Sequence, residues 1–196
     1  MLRISLGSDH RGVSIRQRLI QTLENHDYIC SDEGAFSTKA CDYPDIAATV
    51  AQKVSRGEAD RGILICGTGI GMAITANKFP GVRAAPCYEK VMVEMSRRHN
   101  DVNVLCLPGD MIGERPIDEL VLLWLKTEFE GGRHARRVQK ISGVEAALAA
   151  GTFAAPSAAE TQAATAGKPS NGVQSGDALH PGSGTPSASE PPAPRC

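Results

Sequence analysis

Ile63-Leu64-Ile65-Cys66-Gly67-Thr68-Gly69-Ile70-Gly71-Met72 is a short apolar run that breaks into glycine at every second position and then continues as a helical pattern to Ala76-Asn77-Lys78. A strand without a polar face must be covered on both sides, so this stretch predicts the strand-turn-helix of a βαβ unit in a parallel sheet. Glycines at 67, 69 and 71 let the backbone curl so that successive N–H groups converge on an anion at a helix start. The loop is too short for a Walker A and does not end in Gly-Lys-Ser/Thr. Its G-x-G-x-G spacing also departs from the G-x-G-x-x-G of dinucleotide sites. Cys66 ends the strand beneath those amides, which favour a thiolate over a thiol.

Outward from this unit the same alternation recurs. Strands are predicted over Leu2–Gly7, Tyr28–Asp32, Gly62–Cys66, Arg83–Cys87 and Val102–Leu107, and helices over Gly12–His26, Tyr43–Arg56, Gly69–Lys78, Glu89–Arg98, Pro116–Phe129 and Val138–Ala150. Pro116 suits a first helical turn, where its missing N–H costs nothing. The fold class is α/β, a Rossmann-like three-layer sandwich around a five-stranded parallel sheet. Ligands of such sheets bind beyond the carboxyl ends of the strands, which directs attention to the residues after each one.

After strand one comes Ser8-Asp9-His10-Arg11-Gly12. Asp9 reads either as a helix N-cap beside a surface histidine or, given its place at the carboxyl edge, as part of a site. Cys30, Cys87 and Cys106 read as small buried hydrophobes. Arg97 and Arg98 suit a helix C-terminus by charge alone. His99-Asn100 is different: at the approach to strand five a polar pair has no packing purpose. Arg133 and Arg137 are four apart, so on a helix they share a face and can clamp one dianion; the alternative is a solvated basic turn.

The 196 residues carry 21 Lys+Arg against 22 Asp+Glu, and with no basic stripe nucleic acid is not an expected partner. No window reaches the roughly 20 apolar residues that cross a bilayer, and the first ten residues build no signal-peptide core, so a cytoplasmic protein with no membrane partner is expected. The six cysteines, at 30, 41, 66, 87, 106 and 196, form no CxxC and are expected to be free thiols. From Thr152 to Cys196, Ala, Pro, Ser and Gly supply 28 of 45 residues. The expected organisation is a folded domain over 1–151 and a disordered tail over 152–196.

Taken together, GSDHRG at 7–12, DYPD at 42–45, ILICGTGIGMAITANKFPGVRAA at 63–85, SRRHNDVNVLCL at 96–107 and EGGRHARRV at 130–138 resemble the family of type B ribose-5-phosphate isomerases and galactose-6-phosphate isomerase subunits. The resemblance covers residues 2–149. It implies interconversion of D-ribose 5-phosphate and D-ribulose 5-phosphate in the non-oxidative pentose phosphate pathway, through an enediolate and with neither metal nor cofactor. Cys66 would move the proton, and Thr68 with the amides from Gly67 through Gly69 to Gly71 would hold the enediolate oxygens. His99 would open the furanose ring, Asp9 and Tyr43 would contact the sugar, Asn100 would lie near the developing charge, and His10, Arg133 and Arg137 would bind the phosphate. The family also implies a homodimer, or a dimer of dimers, whose sites take His99 and Asn100 from the partner chain.

Some relatives use a glutamate in the loop after strand three; here Ile70 and Met72 stand in that loop, and the cysteine is present. Many relatives carry an arginine after strand five where this chain has Asp110. Three other readings compete: an isomerase of allose or galactose 6-phosphate, a non-catalytic sugar-phosphate-binding protein, and a nucleotide-binding sheet for which Asp32-Glu33 would supply the ribose acid.

Overall fold

Alternation along one central strand decides where each layer of the protein lies. The computed structural model describes residues 1–110 and 117–160. Its elements are β1 (Arg3–Ser8), α1 (Val13–Glu24), β2 (Ile29–Asp32), α2 (Tyr43–Ser55), β3 (Arg61–Cys66), α3 (Ile70–Ala76), β4 (Ala84–Pro86), α4 (Lys90–Asn100), β5 (Val104–Pro108), α5 (Ile117–Lys126) and α6 (Gly132–Ala149). Ile63 and Ile65 of β3 enter one core with Leu6, Leu19, Val93, Leu107 and Trp124. Leu64 and Cys66 enter the other with Val50, Met72, Ala73 and Cys106. Successive side chains of a strand leave by opposite faces, so the sheet lies between α1, α4 and α5 on one side and α2 and α3 on the other.

The five strands run in the order β2-β1-β3-β5-β4, with every pairing parallel. At the centre Gly62 pairs with Val104 and Cys66 with Pro108. Cys66 therefore stands at the carboxyl edge of the sheet, flanked by β1 and β5, which is where a doubly wound sheet opens a crevice.

Three boundaries differ from the sequence reading for tertiary reasons. Strand four shrinks to Ala84–Pro86. Helix α4 runs on through Asn100, so His99 and Asn100 form its last turn and do not lead straight into a strand. It stops because Asp101 is left-handed at φ 47. That residue is tied down by Arg83 Nη2 at 2.8 Å and by Arg97 Nη1 at 2.7 Å. The final helix begins at Gly132, not at Val138, which makes Arg133 and Arg137 helical. Asp9 is not an N-cap either: α1 begins at Val13 with Gly12 as its N-cap and no side chain capping it. The expected helix start at Pro116 lies outside the described residues.

The chain divides after Phe153. In the segment from Ala154, the Ser157 N–H donates to the Glu160 carboxylate at 2.8 Å and the Glu160 N–H donates to Ser157 Oγ at 3.3 Å, a reciprocal cap on the turn that follows. Of the expected tail, residues 161–196 lie outside the described residues. Cys30, Cys41, Cys66, Cys87 and Cys106 are all free, as expected; Cys196 lies outside the described residues.

Candidate active site

At the carboxyl edge the backbone does most of the positioning. Cys66 is 5% exposed, and its Sγ accepts the Gly69 N–H at 3.1 Å. That contact requires the turn to fold back, and Gly69 allows it by adopting φ +75. A Cβ at Gly69 would stand 3.2 Å from the backbone carbons of Cys106 and Leu107, so glycine is needed both for φ and for the close approach to β5. Thr68 is exposed at the crest of the turn, where its Oγ1 accepts the Ile70 N–H at 3.3 Å. Gly71 is covered by Tyr43 from the start of α2, whose ring carbons would lie 2.5 and 2.6 Å from a Cβ there.

Asp9 and His10 reach the same edge from β1. The Asp9 N–H donates to Ile65 O at 3.0 Å, which pulls the loop alongside β3 one residue before the thiol. The Asp9 carboxylate, 5% exposed, accepts the Arg11 N–H at 2.9 Å. His10 Nδ1 accepts the Cys41 N–H at 3.4 Å. Beneath this loop lies Arg16, fully buried. It donates to Ser8 Oγ at 2.6 Å and to Ala35 O at 2.8 Å, and stands 2.8 Å from Asp32 Oδ1. One guanidinium thus pins the segments on either side of the Asp9 loop.

The remaining expected residues gather elsewhere. His99 stacks on His134 with ring centroids 4.1 Å apart and planes 1° from parallel. Glu130 Oε2 lies 3.8 Å from His99 Nε2 and 3.6 Å from His134 Nε2. Arg98 Nε donates to Glu130 Oε1 at 2.6 Å, and this bond holds the Glu130 carboxyl below the usual carboxylate range. Burial pushes His134 down, and the neighbouring His99 and Arg133 push it further. Arg133 Nε donates to His134 Nε2 at 3.2 Å, consistent with a neutral imidazole that accepts on that nitrogen. Arg133 and Arg137 are exposed one turn apart on α6, as the clamp reading requires, and Asn100 is exposed at the end of α4.

His99, Glu130 and His134 are metal-ligating types with ligand atoms within 4.8 Å of one another. Parallel stacked rings, however, aim their in-plane lone pairs side by side and not at a common point, and Arg98 and Arg133 already donate to Glu130 and His134. The arrangement suits proton transfer and anion binding better than cation ligation. Of these groups, His134 and Glu130 were not given a role by sequence and Arg98 was read only as a helix C-terminal cation; Glu130 precedes the cap of α6, so no helical spacing marked its approach to His134.

The two sets of residues stand at opposite edges of the sheet. Cys66 pairs with Pro108 at the carboxyl end of β5, whereas His99 precedes Val104 at its amino end. Four residue steps of about 3.3 Å put roughly 13 Å of strand between those ends. Arg83 at the approach to β4 donates to the Asn100 carbonyl at 3.1 Å, which holds the end of α4 at the amino edge. Among the other cysteines, burial pushes Cys106 well above the ordinary thiol range and, with Glu24, lifts Cys30 to about 11. Burial also raises Cys87. Cys87 and Cys106 are core atoms, as expected, whereas Cys30 is only partly buried against the core.

A thiol under a glycine turn at the carboxyl edge of an open α/β sheet, with Asp9, His10 and Tyr43 at the same edge, is the arrangement of a small-molecule enzyme of the α/β class. The particular family follows from likeness to known proteins: residues 4–141 match the family model described as Ribose/Galactose Isomerase, and the chain belongs to that family. Ribose-5-phosphate isomerase B of Escherichia coli strain K12 is 41% identical over 145 residues, 74% of this chain and 97% of the relative. The solved structure of Clostridium thermocellum ribose-5-phosphate isomerase B is 45% identical, covers 75% of this chain and 99% of its own, and has a TM-score of 0.73. The Mycoplasma genitalium ribose-5-phosphate isomerase B structure with bound ribulose 5-phosphate is 38% identical with a TM-score of 0.71, covering 74% of this chain and 96% of its own.

Proposed function

We propose that this chain interconverts D-ribose 5-phosphate and D-ribulose 5-phosphate, with Cys66 as the base that carries the proton between C2 and C1. The observation that carries the reading is the Cys66 thiol at the strand end, accepting the Gly69 N–H at 3.1 Å inside a turn of converging amides. In the open-chain aldose the thiolate takes the C2 proton, the carbonyl oxygen gains charge, and the resulting enediolate is held by Thr68 and the backbone N–H groups of Gly67 to Gly71. The same proton is then delivered to C1 while the O2 hydroxyl proton passes to O1, so that the O2 electron pair forms the C2 ketone and O1 becomes a hydroxyl. Asp9 and Tyr43, held against β3 and Gly71, face the sugar hydroxyls.

The edge-to-edge separation within one chain supports a homodimer in which each site takes the imidazole from its neighbour. His99 of the partner subunit opens the furanose ring, and Asn100 of the partner subunit lies near the developing charge. Arg133 of the partner subunit and Arg137 of the partner subunit join His10 on the phosphate. In this reading the enzyme acts in the pentose phosphate pathway and in the cytoplasm, consistent with the absence, among the described residues, of any helix long and apolar enough to cross a membrane.

The test is direct conversion of ribose 5-phosphate, with allose 6-phosphate and galactose 6-phosphate in parallel, by wild type and Cys66→Ser without added metal. Pentose turnover lost in the variant is the expected result. Turnover of a hexose phosphate alone would move the substrate to six carbons, and silence on all three would leave a sugar-phosphate-binding protein.

A further inference from the structure

One charged pair at the mouth of the carboxyl-edge crevice is left over by the assignments above. Arg11, directly after His10, forms an ion pair with Asp110, two residues beyond the end of β5. Both are anchored by backbone as well. The Arg11 N–H is held by Asp9 Oδ1 at 2.9 Å, and the Asp110 N–H donates to Gly67 O at 3.3 Å, next to the 2.7 Å bond from Gly109 N–H to Cys66 O. The pair sits on Gly67: a Cβ there would stand 2.9 Å from Asp110 Oδ2 and 3.5 Å from Arg11 Nε. The two side chains keep 54% and 38% of their exposure, so the pair is fixed in place yet open to the crevice.

A guanidinium offers five N–H donors in a planar fork, and one carboxylate occupies only part of it. Held by an acid on one side, the fork is oriented before any ligand arrives, which removes much of the ordering cost of a flexible arginine. Helix α1 starts two residues on, at Val13, with no side-chain cap, and its dipole favours negative charge near its N-terminus. An ordinary surface ion pair would need neither the seat on Gly67 nor the backbone anchors on both sides.

We propose that Arg11 binds the phosphate of the substrate beside His10, and that Asp110 is a positioning residue that aims its guanidinium. The proposal rests on the sugar-phosphate reading above and adds a cation from this chain to those expected from the partner.

Titration calorimetry on the full chain with inorganic phosphate, ribose 5-phosphate and unphosphorylated ribose tests it. Arg11→Met should weaken both phosphorylated ligands by about ten-fold, the scale of a lost charge-assisted pair, and leave ribose unchanged. Arg11→Lys, which keeps the charge without the fork, should fall between. Asp110→Asn should weaken phosphate by less than Arg11→Met, and its effect should vanish in the Arg11→Met background, because a positioning residue has nothing left to aim. In turnover the loss should sit mainly in KM. Phosphate bound equally by wild type and Arg11→Met, or ribose weakened as much as phosphate, would overturn the role of Arg11; tighter phosphate in Asp110→Asn would overturn that of Asp110. Should ribose 5-phosphate prove not to be turned over while Arg11→Met still loses phosphate affinity, the isomerase reading would fail and this one would stand.

Discussion

The Cys66 turn and the His99–His134 stack are built in contrasting ways. At the carboxyl edge, main-chain geometry positions the groups: a strand end, a left-handed glycine and an amide aimed at sulfur. At the amino edge, side chains hold side chains, with Arg98 on Glu130, Glu130 beside two rings and Arg133 on His134. Backbone positioning is insensitive to pH and salt, whereas a cluster of charged and titratable groups responds to both. The protein therefore keeps its thiol in the backbone-built half and the His99–His134 pair in the responsive half.

The contrast breaks hardest at the thiol. Cys66→Ser should lose about a thousand-fold or more in kcat with ribose 5-phosphate binding retained, since an alcohol is a far weaker base; substantial residual turnover would remove Cys66 from the proton path.

Mixing subunits addresses whether the two halves meet across an interface. Cys66→Ser and His99→Ala proteins should each be inactive, yet under the shared-site proposal about a quarter of wild-type activity should return after unfolding and refolding together, because half of the random dimers would be mixed and each would have one intact site. No recovery would place both residues in one chain's site. The backbone-built half should resist any side chain at position 69. Gly69→Ala must take φ +75 and press on β5 at 3.2 Å, and should cost about 1–2 kcal/mol in a chemical denaturation experiment as well as lowering kcat.

The responsive half should show itself in a titration. Burial lowers His134 and the Arg98 bond lowers Glu130, so both groups are held in their deprotonated forms by the fold. Their contribution is present above the unfolded values and is lost on acidification, for His134 as pH falls below its ordinary 6.5 and for Glu130 as it falls below 4.5. Proton NMR of the His134 ring should give a midpoint below 6.5; one at or above it would contradict the neutral stack. Smallest of all, truncation after Gly151 should leave turnover and melting temperature nearly unchanged, and a clear drop in either would give the tail a role in the domain.

How far the sequence carried each half follows from the same contrast. The turn from Ile63 to Met72 was legible because strand, glycines and helix are contiguous, and the sheet followed from apolar runs such as Ile63-Leu64-Ile65 and Val104-Leu105-Cys106 that need cover on both faces. The end of α4 was not, because what stops it is a left-handed Asp101 held by Arg83 and Arg97, and Arg83 is distant in sequence. The partnership of Glu130 with Arg98 spans 32 residues and left no local pattern. Asp110 stood out as an acid where many relatives carry an arginine, and Arg11 only as a neighbour of His10; their meeting over Gly67 is a property of the folded sheet.

The Tyr43 ring on Gly71 also has a historical consequence. Because its carbons would come within 2.6 Å of any added Cβ, the two positions cannot drift independently. A lineage that enlarges residue 71 must turn the Tyr43 ring aside or shrink it, and either change moves the phenol away from the place where it contacts the sugar, so reconstructed ancestors should change the two positions together.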